Sequence, residues 1–437
     1  MMLEVWNPLG NNQGDHWFQF PLCCSWPHYS TPSPSSSPPQ PPCNRYHLHH
    51  SRQQILHHQI SPATSAAIVE LPFPKNIPGV PNGVENTEDF PTMSMSMFYS
   101  LVLGTQNMKP DLDRALENIQ PPVSFMVSDG FLCKKPKQTE TETVVSDFPW
   151  IKLTRNEYDP SAQNGEDESL AHEFMSKATE ATNNSFGMIY NSFYELEPVF
   201  ADYWNQKVGP KSWPLGPLCL HDMKIESRGL VVHPWLDEKE SSSVLYVAFG
   251  SQATVSSEQV REIAKGLEDS NVNFLWVLRK SEPEENKFLE EFENRVKSRG
   301  IVVRDWVNQM ETLKHKSVKG FFSHCGWNSV MESLSAGLPI LGFPMMAEQH
   351  INAKMVVEEI KIGLRVKSCD GSLNGIVKSE EVSKMVKELM EGEVGKEMRK
   401  KVEEFAVMAH KAVQKGGSSW ETLDLLLSST KQRIHHF

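Results

Sequence analysis

The sequence predicts an α/β fold made of two domains. Residues 318–344 alternate between an apolar run, a turn at Gly326, a helix-forming stretch and a second apolar run, as a strand, helix and strand would. Residues 235–279 show the same alternation and predict the opening of a βαβ domain. At 437 residues the chain is long enough for two domains, each with its own core.

Within the first of these units, the helix is predicted from its end signals. Asn328 and Ser329 are N-cap residue types, and Glu332 follows Ser329 at the spacing of a capping box. Gly337 supplies a C-terminal stop. Taken alone, Glu332 is therefore more readily a capping-box partner than a ligand-binding group, and Trp306 taken alone is more readily a core residue.

The remaining elements follow in order along the chain. A strand is predicted from Ala66, a helix over 95–116 in two pieces broken near Pro110, a strand that ends at Asp129, a helix over 168–183, a strand, turn and helix over 187–204, a linker from Trp213, a helical region over 378–412 and a terminal helix from 416.

Residues 1–62 differ from the rest in composition, since they are rich in proline, serine and histidine and contain no lysine. The run TPSPSSSPPQPP cannot form a helix or an inner strand, because proline removes backbone donors and serine favours local turns. We predict disorder for this segment. Its histidines lack an accompanying cysteine or carboxylate framework, so a solvated segment is favoured over a metal site.

Charge and cysteine content exclude several functional classes. The net charge of −12 and the pI near 5.8 argue against a surface for nucleic acid or anionic lipid. The seven cysteines form no CxxC pair, which indicates free thiols and a cytoplasmic location rather than a disulfide framework or a zinc site. No apolar run approaches the roughly 18 residues that span a bilayer, so no membrane insertion is expected.

The turn between the strand and the helix predicts an anion site. A strand followed by a glycine turn and a short helix points backbone N–H groups and the positive helix end toward the crevice at the carboxyl edge of the sheet. His324, Asn328 and Ser329 would lie at that helix end, which suits a pyrophosphate. The chain contains neither GxGxxG nor GxxxxGK[ST], so neither the dinucleotide fingerprint nor the P-loop explains the site.

Residues 306–349, WVNQMETLKHKSVKGFFSHCGWNSVMESLSAGLPILGFPMMAEQ, resemble the signature box of the plant family 1 UDP-sugar glycosyltransferases. The box runs from tryptophan to glutamine over 44 positions in both, with HCGWNS, the glutamate and the final Glu-Gln in register. One departure is Asn308, where the family usually has proline, and it is expected to loosen the loop under the base.

The resemblance implies a role for each matching residue. Trp306 would stack on uracil beside Val307, and Gln309 and Glu332 would hold the ribose hydroxyls. The remaining donor-binding residues are His324, Gly326, Asn328, Ser329 and Ser251 on the diphosphate, and Trp327, Glu348 and Gln349 on the sugar. Neutral donors at a helix end suit the charge that develops on departing UDP.

The fold that the resemblance implies is of the GT-B type, with two Rossmann-like lobes facing across a cleft. The predicted limits are 1–62 for the low-complexity segment, 63–224 for the acceptor lobe, 225–415 for the UDP-sugar lobe and 416–437 for a helix that packs back on the first lobe. The acceptor lobe is expected to be incomplete, because the family's first strand and Gly-His turn have no counterpart and the sequence diverges again after Leu132.

The implied function is transfer of glucose from UDP-glucose to a hydroxyl of a small phenolic aglycone, with inversion, by a monomer that needs no metal or cofactor. In the family, a histidine base takes the acceptor proton and Asp129 would orient it. His16 and His28 are the nearest candidates for that base, and neither follows a strand. The alternatives are a UDP-sugar-binding protein impaired by the missing base and, less favoured without the dinucleotide fingerprint, a dehydrogenase.

Overall fold

The computed structural model describes residues 2–6, 45–50, 66–85, 90, 95–118, 126–130, 143–145, 147–154, 157, 168–220, 234–250, 255–278, 283–304, 307–373 and 375–434. The strands in these ranges are β1 (Met2–Trp6), β2 (Arg45–His50), β3 (Ala66–Leu71), β4 (Met126–Gly130), β5 (Thr143–Val145), β6 (Phe148–Leu153), β7 (Gly187–Tyr190), β8 (Ser212–Pro214), β9 (Val244–Ala248), β10 (Asn273–Val277), β11 (Gly300–Val303), β12 (Val318–Ser323), β13 (Ile340–Gly342) and β14 (Gly363–Arg365). The α-helices are α1 (Met95–Thr105), α2 (Lys109–Asn118), α3 (Glu168–Asn184), α4 (Pro198–Tyr203), α5 (Ser257–Ser270), α6 (Pro283–Val296), α7 (Gln309–Leu313), α8 (Trp327–Ser335), α9 (Gln349–Lys354), α10 (Ser379–Glu391), α11 (Glu393–Ala412) and α12 (Ser418–Ile434).

A six-stranded parallel sheet organises the second half of the chain. Its strand order is β11-β10-β9-β12-β13-β14, and every neighbouring pair is parallel. In chain order the strands first proceed outward from β9 to β11, and the chain then returns to add β12, β13 and β14 on the other side. The order therefore reverses between β9 and β12, which is where open α/β sheets bind ligands.

Both faces of this sheet are buried. Leu245 and Val247 of β9 belong to one buried hydrophobic cluster, whereas Val244 and Tyr246 of the same strand belong to another. Successive side chains of a strand point to opposite faces, so the two clusters are the two faces of the sheet. This explains why β9 appears in the sequence as a continuous apolar run, and why β12 is apolar except at the partly exposed Lys319 and at Ser323, its last residue.

Helix α5 shows how local sequence sets the bounds of an element. The hydroxyl of Ser256 caps its start by accepting a hydrogen bond from the backbone N–H of Gln259 at 3.3 Å. Asn271 ends the helix in the left-handed region, with φ of 59°. The apolar side chains between these caps recur at helical spacing and are buried in the core.

The first half of the chain contributes a smaller sheet with the order β4-β1-β7-β8. Strand β1 is antiparallel to β4 and to β7, and β7 is parallel to β8, so β4, β7 and β8 run in one direction. Helix α12 packs beside this sheet, with Leu426 in a buried cluster with Ile189 and Trp213. The hydroxyl of Ser419 donates to the carbonyl oxygen of Gly216 at 2.6 Å.

Two compact units result. One comprises Met1–Lys134, Glu166–Glu226 and Ala412–Phe437, and the other comprises Lys135–Gly165 and Ser227–Lys411. In the second unit the indole N–H of Trp150 donates to Glu359 at 3.1 Å, and the ammonium of Lys354 lies 3.4 Å from the carboxylate of Glu157. The domain limits given by the sequence remain predictions.

Most predicted elements lie where the sequence placed them, and three differ. The linker predicted from Trp213 is wrong at its start, because Trp213 is buried in β8 and pairs with Ile189 of β7. The described part of the first 62 residues consists of β1 and β2, where the sequence predicted disorder; both are short and pair with distant strands, β1 with β4 and β7 and β2 with β3. The rest of that segment lies outside the described residues. The break predicted near Pro110 falls over Gln106–Met108, and Pro110 itself lies in the first turn of α2, where proline is tolerated.

In the part of the chain that the structure describes, no helix has both the length and the apolar character that a membrane span requires.

Candidate functional site

The turn after β12 is held by the backbone and side chain of one serine. The hydroxyl of Ser323 accepts a hydrogen bond from the N–H of Cys325 at 3.2 Å, and its carbonyl accepts one from the N–H of Phe343 at 2.7 Å. Cys325 is fully buried and has φ of 62°, in the left-handed region that side chains other than glycine seldom adopt. The turn is therefore tightly constrained at the carboxyl end of β12.

Helix α8 begins directly after this turn. Gly326 is its N-cap and provides no side chain to accept from the first turn. The prediction that Asn328 or Ser329 caps the helix is wrong, because both lie inside it. Since no side chain closes the helix start at the N-cap, the positive helix end faces outward from the carboxyl edge of the sheet, as an anion site requires.

Three predicted ribose and diphosphate residues meet beside α8. The side-chain amide of Gln309 donates to the hydroxyl of Ser329 at 2.9 Å and to a carboxylate oxygen of Glu332 at 2.6 Å. The carboxylate of Glu332 is thus engaged by a residue of α7, and Ser329 lies in the helix rather than at its N-cap. The capping-box interpretation of Glu332 is therefore wrong.

The surroundings of Glu332 change its acidity. Burial raises the pKa of Glu332 to about 7, and the hydrogen bond from Gln309 opposes that rise. The amide has already positioned one carboxylate oxygen. A group that offers further hydroxyl donors would stabilise the ionised form, as two neighbouring hydroxyls of a ribose would.

His324 lies between two glycines at the ends of neighbouring strands. A Cβ atom added at Gly250 would lie 2.9 Å from the ring Nε2, and one added at Gly326 would lie 2.5 Å from it. The ring Nδ1 is buried and has no hydrogen-bond partner among the described residues. Burial lowers the pKa of His324 to about 4, so the imidazole is neutral at pH 7.

Gln349 begins α9 and folds back on the loop that precedes it. Its side-chain oxygen accepts hydrogen bonds from the N–H groups of Met345 and Met346 at 3.0 and 3.1 Å. Those two bonds use the acceptor, so the two N–H hydrogens of the amide are what the side chain offers to a ligand. Glu348, beside it, is exposed to solvent.

The other predicted site residues are placed as follows. Trp327 and Asn328 are half-buried in the first turn of α8. Val307 is buried in the core cluster that contains Leu313 and Phe321, so any donor contact from it would have to come from its backbone. Asp129 lies in β4 of the other unit, in register with Leu3. The predicted residues outside the described ranges are Ser251, Trp306, His16 and His28.

Asn308, the departure from the family pattern, has a structural role that its sequence setting did not reveal. It is the N-cap of α7, and its side-chain oxygen accepts a hydrogen bond from the N–H of Glu311 at 3.2 Å. The cap fixes the start of the helix that carries Gln309. Asparagine thus supplies at the helix start a hydrogen bond that proline cannot. The expectation of a loosened loop under the base stays a prediction, because Trp306 lies outside the described residues.

Replacing Asn308 with alanine is expected to lower the free energy of unfolding by about 0.5 to 2 kcal/mol, the usual range for loss of an N-cap. Asn308→Asp keeps an acceptor oxygen at the positive end of the helix and should lose little or none of that stability. Denaturant unfolding of both variants measures the difference. Equal losses in the two would show that the cap contributes nothing.

Two contacts near the site were missed in the sequence. One is the packing of Gly250 against His324, and the other is a hydrogen bond from the side-chain amide of Asn352 to the carbonyl oxygen of Cys325 at 3.0 Å. The sequence contained one indication of the second contact. Asn352 follows Gln349 by three residues in a helix, which places both side chains on the same helix face.

Within the described ranges, no three histidine, cysteine, aspartate or glutamate side chains converge as a metal ion would need. The prediction that the reaction requires no metal or cofactor remains a prediction.

The sequence is similar to those of known proteins that belong to one enzyme family. Residues 232–407 match the model of the family described as UDP-glucoronosyl and UDP-glucosyl transferase. UDP-glycosyltransferase 90A1 of Arabidopsis thaliana is 45% identical over 419 residues, which cover 86% of either chain. Scopoletin glucosyltransferase of Nicotiana tabacum is 37% identical over 67% of this chain and 64% of its own.

A solved structure supports the same placement. Phytolacca americana UGT2, complexed with UDP-2fluoro-glucose and pterostilbene, is 25% identical, has a TM-score of 0.68 and is similar over 87% of this chain and 89% of its own. The predicted α/β fold of the GT-B type, with Rossmann-like lobes, is thereby confirmed. The similarity to the Arabidopsis protein extends over most of both chains. The chain therefore belongs to the plant family 1 UDP-glycosyltransferases and is a glycosyltransferase enzyme.

Proposed function

We propose that this enzyme transfers glucose from UDP-glucose to a hydroxyl of a small phenolic acceptor, such as a flavonoid, with inversion at the anomeric carbon. One observation carries the proposal. The side-chain amide of Gln309, on α7, donates to Ser329 and Glu332 of α8, near the start of α8, where the N-cap Gly326 has no capping side chain. That arrangement offers a carboxylate for vicinal hydroxyls and a positive helix end for a diphosphate, side by side.

The donor would lie at the carboxyl ends of β9 and β12. Glu332 and Gln309 would hold the ribose, while the start of α8 and the neutral His324 would bind the diphosphate. As the bond to the anomeric carbon breaks, negative charge grows on the departing UDP. Fixed donors at the helix end stabilise that charge without a metal, because they are already oriented before the reaction begins.

The acceptor oxygen would attack from the face opposite UDP, which inverts the anomeric centre. A base removes the acceptor proton as the oxygen attacks, and Asp129 is the residue proposed to orient that base. Phenols ionise more readily than aliphatic alcohols, so a phenolic acceptor depends less on the base. A cytoplasmic location is proposed from the absence of a CxxC pair in the sequence, and a monomer from the family resemblance.

The relatives support the choice of sugar and acceptor. The tobacco relative is named as a glucosyltransferase of scopoletin, and the Phytolacca americana enzyme was crystallised with a fluorinated UDP-glucose and pterostilbene. Both names join a glucosyl donor to a phenolic compound. Gln349 also supports UDP-glucose as the donor, because family members that use UDP-galactose tend to have histidine at this position.

Calorimetric titration of the purified chain with UDP, UDP-glucose and NAD tests the proposal. Binding of UDP and UDP-glucose without NAD is expected, followed by product formation with matched phenol and alcohol acceptors. Binding of NAD without UDP would overturn it. Repeating the transfer assay with His16→Ala and His28→Ala identifies the base if either variant loses turnover.

Replacing Gln349 tests the sugar preference. Gln349→His is expected to narrow the preference for UDP-glucose over UDP-galactose, measured as the ratio of kcat/KM values. Gln349→Glu is the matched control, because it keeps the acceptor oxygen for Met345 and Met346 but lacks the N–H donors. If the glutamate variant keeps the full preference for UDP-glucose, the amide hydrogens of Gln349 do not distinguish the two sugars.

A further inference from the structure

We propose that Asn352 is a positioning residue for the diphosphate part of the donor site. Its side chain is not one of the predicted ligand-binding groups and acts through the carbonyl of Cys325, in the turn between β12 and α8. The inference rests on the proposed function, since it assigns the diphosphate to that turn.

The first observation is the hydrogen bond itself. The side-chain N–H of Asn352 donates to the carbonyl oxygen of Cys325 at 3.0 Å, and both residues are buried. A buried carbonyl that loses its donor is left unsatisfied, which destabilises the fold because no water replaces the donor. The bond is therefore a strong restraint on the turn.

The second observation is that the turn needs a restraint. Cys325 has φ of 62°, a conformation that is unfavourable for a residue with a side chain. Ser323 holds the N–H side of this residue and Asn352 holds its carbonyl side. Without Asn352 the peptide between Cys325 and Gly326 can rotate, and His324 and the start of α8 move with it.

The third observation links the turn to the sugar end of the site. Asn352 lies one helical turn after Gln349 on α9, so the two amides share a face. Gln349 holds the loop at Met345 and Met346. Helix α9 thus ties that loop to the turn after β12 and fixes the spacing between the sites proposed for sugar and diphosphate.

This role predicts a split between two ligands. UDP uses the turn through its diphosphate, whereas uridine has no phosphate and depends on the groups proposed for base and ribose. Loss of the Asn352 bond should therefore weaken UDP binding and leave uridine binding unchanged. A residue that only stabilises the fold would weaken both or neither.

The experiment compares UDP and uridine affinities by calorimetry for the wild-type chain, Asn352→Ala and Asn352→Asp. The aspartate keeps the size of the side chain but has no N–H to donate to the carbonyl. Both variants are expected to bind UDP about tenfold more weakly and uridine within about twofold of wild type. Asn352→Ser, whose hydroxyl is too short to reach, replaces either variant that does not fold.

Ser333→Ala is the matched control. Ser333 is fully buried at the other end of α8, and its hydroxyl donates to the carbonyl oxygen of Leu338 at 2.9 Å. Its loss should lower the melting temperature and leave both affinities unchanged. Equal loss of UDP and uridine binding in the Asn352 variants, or no loss in either, overturns the inference alone. A wild-type chain that does not bind UDP overturns the proposed function and this inference with it.

Discussion

Replacing Glu332 with alanine should weaken the binding of UDP by about 1 to 3 kcal/mol, the cost of removing a charged hydrogen-bond partner. The carboxylate of Glu332 projects from α8 and is half-buried, with one oxygen accepting a hydrogen bond from Gln309. Its other lone pairs are the proposed acceptors for the ribose hydroxyls. The alanine variant also leaves an amide hydrogen of Gln309 without its acceptor, so calorimetry should show a loss of binding enthalpy.

The same residue predicts how donor binding depends on pH. Burial raises the pKa of Glu332 to about 7, and ribose hydroxyls bind the ionised form. Affinity should therefore fall as the pH decreases below about 7, by up to tenfold per pH unit. Uridine is the ligand of choice because it stays neutral between pH 5 and 8, whereas the terminal phosphate of UDP titrates near pH 6. His324 stays neutral over this range, because burial lowers its pKa to about 4.

The stability of the free protein should change in the opposite sense. The pKa of Glu332 is raised in the folded state, so its contribution is complete below the unfolded pKa and is lost as the pH rises through about 7. Glu332→Gln is the matched variant, since it keeps the shape and removes the titration. It should flatten both pH profiles. A uridine affinity with an unchanged dependence on pH in this variant would show that another group titrates.

Much of the fold could be predicted from the sequence, because a parallel sheet that is buried on both faces has strands of mostly apolar residues. Strand β9 is a continuous apolar run in the sequence, and β12 is apolar over residues 320–322, since parallel strands between two layers of helices have no solvent face. The stop at Gly337 was also readable. Its φ of 71° and the hydrogen bond from the N–H of Leu338 to the carbonyl of Ser333 form the C-terminal motif that glycine favours.

The start of α8 was misread because the deciding contacts are distant in sequence. Ser329 and Glu332 have the residue types and spacing of a capping box, yet both accept from Gln309, which precedes them by twenty or more residues. The conformation of Cys325, which brings the helix start forward to Trp327, is supported by Asn352 from the following helix. The helix-capping preferences of neighbouring residues do not indicate hydrogen-bond partners that are distant in sequence and meet only in the folded chain.

The short strand β1 was missed for a different reason. MLEVW holds five residues, too few for a period to distinguish it from the irregular sequence that follows. Its partners, β4 and β7, lie more than a hundred residues away along the chain. Pairing, rather than intrinsic preference, determines such a strand.

Replacing Gly250 with alanine should weaken UDP binding by at least tenfold, because the new methyl group would occupy the place of the His324 ring. The added Cβ would lie 2.9 Å from Nε2, closer than Cβ atoms are found in proteins, and 3.1 Å from Cε1, tighter than most such contacts. Gly250 also has φ of 80°, so alanine is strained there in addition to the clash. The imidazole must therefore move away from the uncapped start of α8.

Gly371→Ala separates backbone strain from the clash. Gly371 has φ of 74°, and an added Cβ there would meet no atom within 4 Å. Both variants should lose about 1 to 2 kcal/mol of unfolding free energy from the backbone conformation, but the Gly371 variant should bind UDP as the wild type does. A further loss of stability in Gly250→Ala measures the crowding of the imidazole.

The double variant Gly250→Ala, His324→Ala completes a double-mutant cycle, which tests whether the effect of Gly250→Ala depends on the His324 ring. Without the ring, the methyl group at position 250 meets no imidazole, so adding Gly250→Ala to His324→Ala should cost only the backbone strain seen at Gly371. UDP binding in the double variant should match that of His324→Ala alone. If Gly250→Ala weakens UDP binding equally with and without the imidazole, Gly250 acts on the donor directly and the two strand ends do not position His324 as inferred.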